Sequence, residues 1–328
     1  MKALSFNLVP GKGARPRLTL VDVPQPRPAK GEVLVRVTHA GLNNGDLEIW
    51  TGRANGAIAK RKKKNPVVSG IEMAGIALTD GKRIKAGELV FGYTNIFKGP
   101  WFHAEEVAIS ETRLARIPDG WDAPGAASIV GGALTAIAAL ERITKLDAGH
   151  DLLVTGASGS VGLTALHFAN HLGARVTGIC HSSQTDFVMR EGAVHALAYD
   201  RDETIPETAR FDIVFDTAPA LSFAAAKSHL KARGTYITTM PHLDMTGWLR
   251  SRLSAHKWGF LLEGDTDEKR MSRLAYLMET GAFKPVIDSV FPYKDAAAAF
   301  LHQEQGRGKR GKVLIAFNQP TSVGKQRL

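Results

Sequence analysis

Residues 155–162 read TGASGSVG, and this stretch decides how the surrounding sequence folds. It follows a short apolar run, DLLVT (151–155), which predicts a buried strand. The next segment, SVGLTALHFANHLGA (160–174), repeats apolar residues at helical spacing. A glycine-rich turn between a strand and an amphipathic helix is typical of a phosphate site, because the free N–H groups and the dipole of the helix N-terminus favour anions. We therefore predict a dinucleotide-binding turn, with a tight turn that binds nothing as the alternative.

The pattern inside the turn assigns a role to individual residues. Aligned on its last glycine, it reads Ala157-x-Gly159-x-x-Gly162. Gly159 would let the backbone approach a pyrophosphate, and Gly162 would let the helix pack closely against the strand. The predicted cofactor contacts in the turn are Gly156, Ala157, Ser158, Gly159, Ser160, Val161 and Gly162.

Strands and helices alternate on the C-terminal side of this turn. Further strands are predicted at ARVTGIC (174–180), ALAY (196–199), FDIVF (211–215), GTYITT (234–239), WGFLL (258–262) and RGKVLIAF (310–317). Helical segments lie between most of them, such as ALSFAAAKSHLKA (220–232). This alternation is typical of a parallel, doubly wound α/β sheet.

The first 120 residues have a different pattern. Short β-like runs such as EVLVRVTHAG (32–41), NPVVSGIEMAG (65–75) and GELVFGYT (87–94) alternate with glycine and proline. Such runs, without long helical periods, predict an irregular all-β unit.

Composition limits the classes of protein to consider. The 328 residues are 44% apolar and 23% charged, as in an ordinary globular protein. One cysteine excludes an internal disulfide and a site with several cysteine ligands. We find no apolar run close to the ~18–20 residues that span a bilayer, and the N-terminus lacks the apolar core of a signal peptide. We therefore expect a cytoplasmic protein without a membrane partner.

The net charge of +10 favours anionic ligands such as phosphorylated cofactors. Part of this charge lies in KRKKK (60–64), which is interpreted as a solvated loop. A patch for nucleic acid or for localisation is the alternative. We expect no nucleic-acid partner, because no aromatic residue is interleaved there and no nucleic-acid-binding signature occurs elsewhere.

The segment GICHSS (178–183) predicts the choice of cofactor. Cys180 lies eighteen residues after Gly162, where an acidic residue would accept hydrogen bonds from the ribose of NAD and repel the 2′-phosphate of NADP. Without that acid, and with His181, Ser182 and Ser183 following, the sequence favours NADPH. No Arg or Lys clamp is evident in the next residues, so His181 or a distant basic residue is left to supply the charge. Cys180 is interpreted as a small buried residue rather than a nucleophile.

At this point the chain resembles a known family, the medium-chain dehydrogenase/reductase superfamily, and within it the zinc-free quinone oxidoreductase-like branch. AGLNNGDLEIWTG (40–52) is similar to that branch's AGxNxxDxxxxxG, and PVVSGIEMAG (66–75) to its PxxxGxExAG. The turn GASGSVG and the later REGA (190–193) match as well. The resemblance implies a GroES-like, β-rich catalytic domain over 1–121, a Rossmann NADP-binding domain over 122–265, and a return to the catalytic domain over 266–328.

The resemblance also bears on metal. Zinc-dependent members have a Cys where this chain has Asn43, a His where it has Ile71, and a third ligand, a Cys, near Gly131. Glu72 and Asp46 remain, but two isolated carboxylates do not make a tetrahedral zinc site of nitrogen and sulfur ligands. A structural zinc loop of four cysteines is impossible with one cysteine. We therefore predict that the protein binds no zinc.

A hydride transfer without a Lewis acid favours a quinone or an α,β-unsaturated carbonyl as the acceptor, because the developing enolate needs only a hydrogen-bond donor and a proton. The predicted catalytic residues are Asn43, Asp46 and Tyr93. Asp46 is interpreted mainly as support for its loop, and a buried structural role for Tyr93 is an alternative to lining the pocket. The branch often has a tyrosine where this chain has Glu48, so a proton donor of the family is missing here.

Other cofactor contacts are predicted from the resemblance and from the sheet. The resemblance implies Thr135 at the nicotinamide, Tyr199 at the adenosine phosphate and Lys312 at the pyrophosphate, with a surface strand lysine as the alternative for Lys312. Thr217 and Met240 follow two strands, at the carboxyl edge where such sheets bind ligands.

Three functions remain open at this stage. The first is an NADPH-dependent reductase of quinones or unsaturated carbonyls. The second is a zinc-free NADP-dependent alcohol or ketone reductase, and the third is a non-enzymatic dinucleotide-binding protein. The resemblance also implies a homodimer, since an exposed sheet edge is a natural pairing surface.

Overall fold

The structure is a computed structural model. It describes residues 1–7, 16–53, 67–94, 99–201, 203–261, 266–306 and 308–317. The basic run KRKKK (60–64) lies outside the described residues, so its interpretation as a solvated loop stays a prediction.

The N-terminal part forms two sheets of mainly antiparallel strands. The smaller has the order β2-β1-β4, and the larger has the order β15-β16-β3-β5-β6-β8, with β7 paired to β3; β15 Ile287–Pro292 and β16 Lys312–Ala316 come from the C-terminal segment. The strands are β1 Lys2–Asn7, β2 Arg17–Asp22, β3 Glu32–Gly41, β4 Val67–Val68, β5 Glu72–Ala77, β6 Leu89–Tyr93, β7 Glu106–Ser110 and β8 Leu114–Arg116. In β3, the side chains of Val33, Val35 and Val37 are fully buried and alternate with more exposed neighbours, as expected of a strand with one face in a core.

The central part forms a six-stranded, fully parallel sheet with the order β11-β10-β9-β12-β13-β14. Its strands are β9 Asp151–Thr155, β10 Arg175–Cys180, β11 His195–Ala198, β12 Phe211–Asp216, β13 Leu230–Thr238 and β14 Lys257–Phe260. The order reverses between β9 and β12, which makes this edge the ligand-binding crevice of a doubly wound sheet. The predicted α/β fold class, with a β-rich unit and a Rossmann sheet, is confirmed.

Helices cover both faces of the parallel sheet and join it to the β-rich unit. They are α1 Asn44–Trp50, α2 Ala123–Ile137, α3 Ser160–His171, α4 Thr185–Arg190, α5 Phe223–Ala226, α6 Met245–Ser251, α7 Glu268–Glu279 and α8 Ala296–Gln305. The predicted apolar face of α3 is buried, since Ala165, Phe168 and Ala169 have no exposed surface.

The long apolar helix corrects one expectation from the sequence. A π-helical segment, Ala138–Ile143, extends α2, and the stretch Ala123–Ile143 is long and apolar enough by composition to cross a membrane. However, 83% of its most apolar window is buried inside the molecule. The helix packs against strands β3, β5 and β6 of the β-rich sheet and against helix α3, so its hydrophobicity reflects a core position.

The helix predicted over 220–232 is only partly confirmed. Helix α5 covers Phe223–Ala226 and a 3₁₀ turn continues it over Lys227–His229, but Leu230 already pairs with Phe211 in the parallel sheet. The next residue, Lys231, forms ion pairs with Asp151 (2.8 Å) and Asp212 (2.7 Å) at the start of neighbouring strands. These contacts outweigh the helical propensity of the alanine-rich segment.

The last strands return to the β-rich unit. Strand β15 spans Ile287–Pro292, and β16 spans Lys312–Ala316 and pairs antiparallel with β3. Just before β16, the N–H of Gly311 donates to the carbonyl of Ser158, 2.8 Å away in the glycine-rich turn. The start of β16 therefore lies where the two sheets meet, beside the turn that opens α3.

Candidate active site

The glycine-rich turn has the geometry of a phosphate cradle. Gly156 has φ +63°, a conformation that favours glycine, and a Cβ on Gly162 would overlap the carbonyl oxygen of Gly156. Gly159 is the N-cap of α3, and a Cβ there would meet only one atom, 3.4 Å away. The hydroxyl of Ser160 is buried without a hydrogen-bond partner among the described residues. An open helix N-terminus with an unpaired hydroxyl fits a pyrophosphate.

The end of β10 is built largely from the predicted cofactor residues. Cys180 is 1% exposed, and burial raises the pKa of its thiol to about 11, so it is not a nucleophile. The His181 ring lies edge-on to the ring of Tyr199, with centroids 5.8 Å apart, and its Nδ1 is 3.0 Å from the Ser183 hydroxyl. The structure thus brings His181, Ser183 and Tyr199 together.

An acidic residue that sequence reasoning missed reaches the same point. Asp200 follows β11, and its carboxylate accepts hydrogen bonds from the backbone N–H of Ser182 (2.6 Å) and from the Ser182 hydroxyl (2.7 Å). The Nε2 of His181 lies 3.3 Å from the same carboxylate. Hydrogen bonding from Ser182 lowers the pKa of Asp200. The rule that parallel strands end at one edge would have placed Asp200 beside Ser182.

A basic residue reaches this strand end from the C-terminal segment. The Nε of Arg310 donates to Oε1 of Gln184 (2.6 Å), and Nε2 of the same amide lies 3.1 Å from the Ser183 hydroxyl. The Arg310 guanidinium also lies 5.1 Å from the centre of the Phe187 ring. The sequence leaves a distant basic residue to supply the positive charge here, and the structure places Arg310 at this point.

A buried polar network lies where zinc-dependent enzymes of the resembled superfamily have their metal ligands. The carboxylate of Glu72, which has no exposed surface, accepts from Nδ2 of Asn43 (2.7 Å) and from the N–H of Gly131 (2.5 Å). It also pairs with the ammonium of Lys312, which donates to Oδ1 of Asn43 (2.7 Å). Lys312, predicted at the pyrophosphate, is thus engaged by Asn43 and Glu72, one residue away from the glycine that contacts the turn.

The surroundings of Asp46 and Tyr93 indicate structural roles for both residues. Asp46 is fully buried, and its two oxygens accept from the backbone N–H groups of Asn43 (2.9 Å) and Gly70 (3.0 Å). It closes the capping box of α1 and so fixes the loop that carries Asn43. Tyr93 is 3% exposed and packs in the main core cluster. These positions favour loop support for Asp46 and the structural alternative for Tyr93.

The remaining predicted contacts lie along the carboxyl edge of the sheet. The hydroxyl of Thr217 donates to the carbonyl of Thr155 (2.6 Å), beside the glycine-rich turn. The N–H of Met240 donates to the hydroxyl of Thr238 (3.1 Å), and Met240 is partly exposed. On α2, the Thr135 hydroxyl donates to the carbonyl of Gly131 (2.7 Å) and is partly exposed.

Asp216, a second residue that the sequence patterns do not indicate, stabilises this edge of the sheet. Asp216 is 2% exposed and accepts from the hydroxyl of Thr155 (2.7 Å). Burial raises the pKa of Asp216. Its carboxylate ties the end of β9 to the end of β12 across the topological switch point. No feature of its local sequence distinguishes it from an ordinary strand-end aspartate.

The predicted site residues therefore fall into two clusters: the strand-end cluster around Ser182 and the buried network around Glu72. Within the ranges that the structure describes, no group of three or more His, Cys, Asp or Glu side chains is placed to hold a metal ion. The predicted absence of zinc is a separate matter and stays a prediction.

Comparisons with known proteins find two family models that match parts of this chain. The family model described as "Alcohol dehydrogenase GroES-like domain" matches residues 29–141, and the one described as "Zinc-binding dehydrogenase" matches residues 191–315. The three positions compared above with zinc ligands, Asn43, Ile71 and Gly131, lie outside residues 191–315, so the second match does not bear on metal.

Curated relatives and solved structures cover almost the whole chain. Quinone-oxidoreductase QR1, chloroplastic, of Triphysaria versicolor is 28% identical over 96% of this chain and 98% of its own. NAD(P)H oxidoreductase RTN4IP1, mitochondrial, of Mus musculus is 25% identical over 87% of this chain and 81% of its own. The structure of the quinone oxidoreductase from Coxiella burnetii has a TM-score of 0.84 over 97% of this chain and 99% of its own at 23% identity, which shows a shared fold.

Proposed function

Because this chain belongs to the medium-chain dehydrogenase/reductase superfamily, we propose that it is a zinc-independent reductase that transfers a hydride from NADPH to a quinone or an α,β-unsaturated carbonyl compound. That it is an oxidoreductase with a nicotinamide dinucleotide follows from its relatives and from the fit of the glycine-rich turn. The acceptor, the choice of NADPH and the independence of zinc are our proposals.

The observation that carries the proposal is the buried network of Asn43, Glu72 and Lys312. An ammonium occupies the region where the metal-dependent enzymes of the superfamily have zinc ligands. Glu72 neutralises it and accepts one N–H of the Asn43 amide, so the amide is held in one orientation. Its second N–H has no partner among the described residues and is left to donate to a substrate oxygen. The hydrogen bond from Lys312 to Oδ1 polarises the amide and so strengthens that donation to a developing oxyanion.

These contacts indicate which part of the reaction the cofactor performs and which part the protein performs. When bound, the cofactor supplies a hydride from C4 of its nicotinamide ring. The protein positions the acceptor, holds the amide of Asn43 toward its oxygen and lets the final proton come from water. A quinone or an enone suits this arrangement, because the charge that develops on its oxygen is delocalised and needs only a hydrogen-bond donor, whereas a simple ketone needs stronger polarisation of its carbonyl.

The preference for NADPH rests on the end of β10. Cys180 replaces the acidic residue that would bind a free ribose, and the Ser183 hydroxyl and the His181 ring lie beside it. Arg310, joined to Ser183 through the Gln184 side chain, adds the positive charge that a 2′-phosphate requires.

We also propose a homodimer. Strand β14 ends the parallel sheet and, within the described residues, pairs only with β13. Apolar side chains are exposed near this edge, including Leu253 (95%) and Phe260 (46%). An unpaired strand flanked by apolar residues is suited to pairing with a second copy. The cytoplasmic location and the absence of a membrane partner stay predictions.

A turnover screen tests the reaction. The purified protein is mixed with NADPH and, separately, with quinones, enones and simple ketones, and the loss of NADPH absorbance is followed. We expect turnover with quinones or enones, little with ketones, and no loss of activity with a chelator. The matched variant is Asn43→Ala, which should lower kcat while leaving the affinity for NADPH nearly unchanged. Dependence on ketones alone, or about one tightly held zinc per chain by elemental analysis, would overturn the proposal.

A further inference from the structure

The strand-end cluster contains a charge that opposes a phosphate. Strands β10 and β11 are adjacent and parallel, with Cys180 opposite Ala198, so the residues that follow them lie side by side. Asp200 uses this proximity to accept both the backbone N–H and the hydroxyl of Ser182. Ser182 is one of the residues expected to bind the 2′-phosphate of NADPH, and in this arrangement both of its donors are occupied.

We propose that Asp200 is a specificity-determining residue that limits the preference for NADPH by competing with the 2′-phosphate for the two donors of Ser182. This inference rests on the proposed function, because it concerns the cofactor of the same site. It assigns to Asp200 the role that an acidic residue at the end of β10 has in NAD-dependent enzymes, although Asp200 follows the next strand.

The chemistry of the two cofactors explains the competition. The ribose hydroxyls of NADH are donors, so a carboxylate beside Ser182 can accept them without losing its own contacts. The 2′-phosphate of NADPH offers only acceptors and negative charge at neutral pH, so Ser182 must release Asp200 to bind it. The side chain of Asp200 is about a quarter exposed (26%), so it is accessible to a ligand.

Two charges of opposite sign therefore flank the same strand end. Asp200 lies on the Ser182 side, and Arg310 lies on the Ser183 side through Gln184. The contact with Arg310 favours NADPH and the contact with Asp200 favours NADH. The balance between these two contacts, rather than the residues at the end of β10 alone, decides the ratio of the affinity for NADPH to the affinity for NADH.

Removing the carboxylate tests the inference. In Asp200→Asn and in Asp200→Ser, Ser182 no longer donates to a carboxylate and can donate to the 2′-phosphate instead. Calorimetric titration with NADH and with NADPH should therefore show NADPH binding about ten- to a hundredfold more tightly than in the wild type, the size expected for one hydrogen bond to a charged group. NADH affinity should stay the same or fall. The matched control is Asp186→Asn, which removes the same charge from an exposed position on α4 whose carboxylate makes no side-chain hydrogen bond to Ser182 within the described residues.

The outcomes separate this inference from the proposed function. An equal affinity of the wild type for both cofactors would refute the NADPH proposal, yet a rise in the NADPH:NADH affinity ratio in Asp200→Asn would still support the role of Asp200. An unchanged ratio in both Asp200 variants would overturn the inference. An equal change in Asp186→Asn would overturn it as well, because a general charge effect would then explain the result.

Discussion

Replacement of Lys312 by methionine is the sharpest test of the buried network. The Lys312 side chain is 4% exposed and the Glu72 side chain is fully buried, so solvent screens their ion pair little. Methionine has a similar length and no charge, so the change mainly removes the positive partner. Within the described residues, Glu72 would then remain as a buried carboxylate with two donors, Gly131 and Asn43.

The size of the effect follows from this burial. Removal of one partner of a buried pair typically costs about 3–5 kcal/mol, because an uncompensated charge is left behind. The two remaining hydrogen bonds place the expected loss near the lower end of that range. With an unfolding entropy of about 2.1 cal/mol/K per residue, a loss of this size in a chain of 328 residues corresponds to a fall of roughly 4–7 °C in Tm.

The assay is thermal unfolding followed by circular dichroism without cofactor. Glu72→Gln combined with Lys312→Met should recover part of the lost Tm, because the neutral amide no longer leaves a charge unpaired. The control is Lys309→Met. The Lys309 ammonium donates to Gln303, and burial lowers the pKa of Lys309 to about 8, so the loss of its charge should change Tm little. The reasoning is refuted if Lys312→Met is no less stable than Lys309→Met, or if the double variant recovers nothing.

Three further predictions follow from the same structure. The thiol of Cys180, whose pKa burial raises to about 11, should not react with a thiol reagent at pH 8 in the folded protein but should react after unfolding; rapid labelling of the folded protein would contradict its burial. The fully buried ring of His103 lies 2.8 Å from the Ser69 hydroxyl and 3.3 Å from the carbonyl oxygen of Gly41. Burial lowers the pKa of His103 below its ordinary value of 6.5, so the folded protein takes up a proton on this ring at a lower pH than the unfolded chain does. The free energy of unfolding should therefore fall as the pH drops from 7 to 5, by at most about 1.4 kcal/mol per pH unit from this residue, and denaturant titrations should show a shallower fall in His103→Gln; equal slopes would rule out the assigned pKa shift. Light scattering should show a dimer at micromolar concentration that Phe260→Asp weakens, and a monomeric wild type would remove the proposed edge pairing.

Local patterns in the sequence were sufficient to predict the fold class and the phosphate turn. A strand, a glycine-rich turn and an amphipathic helix occupy consecutive residues, so their geometry depends on short-range contacts that the order of residues specifies. The buried Cys180 at the end of β10 and the helical face of α3 were predicted for the same reason. The predicted helix over 220–232 ends early, at His229, because Leu230 and Lys231 contact distant strands.

Only the tertiary structure revealed which charges meet in the crevice. Lys312 lies 240 residues after Glu72 in the chain and Arg310 lies 126 after Gln184, so no local period or spacing indicates that either pair is in contact. Asp200 follows a different strand from Ser182; the rule that parallel strands end at one edge places both at that edge, but the register of β10 and β11 decides that they are in contact. A sequence by itself determines which helices and strands form where contacts between neighbouring residues supply most of the stabilising free energy. The electrostatics of a site built from several strand ends depend on how those elements pack.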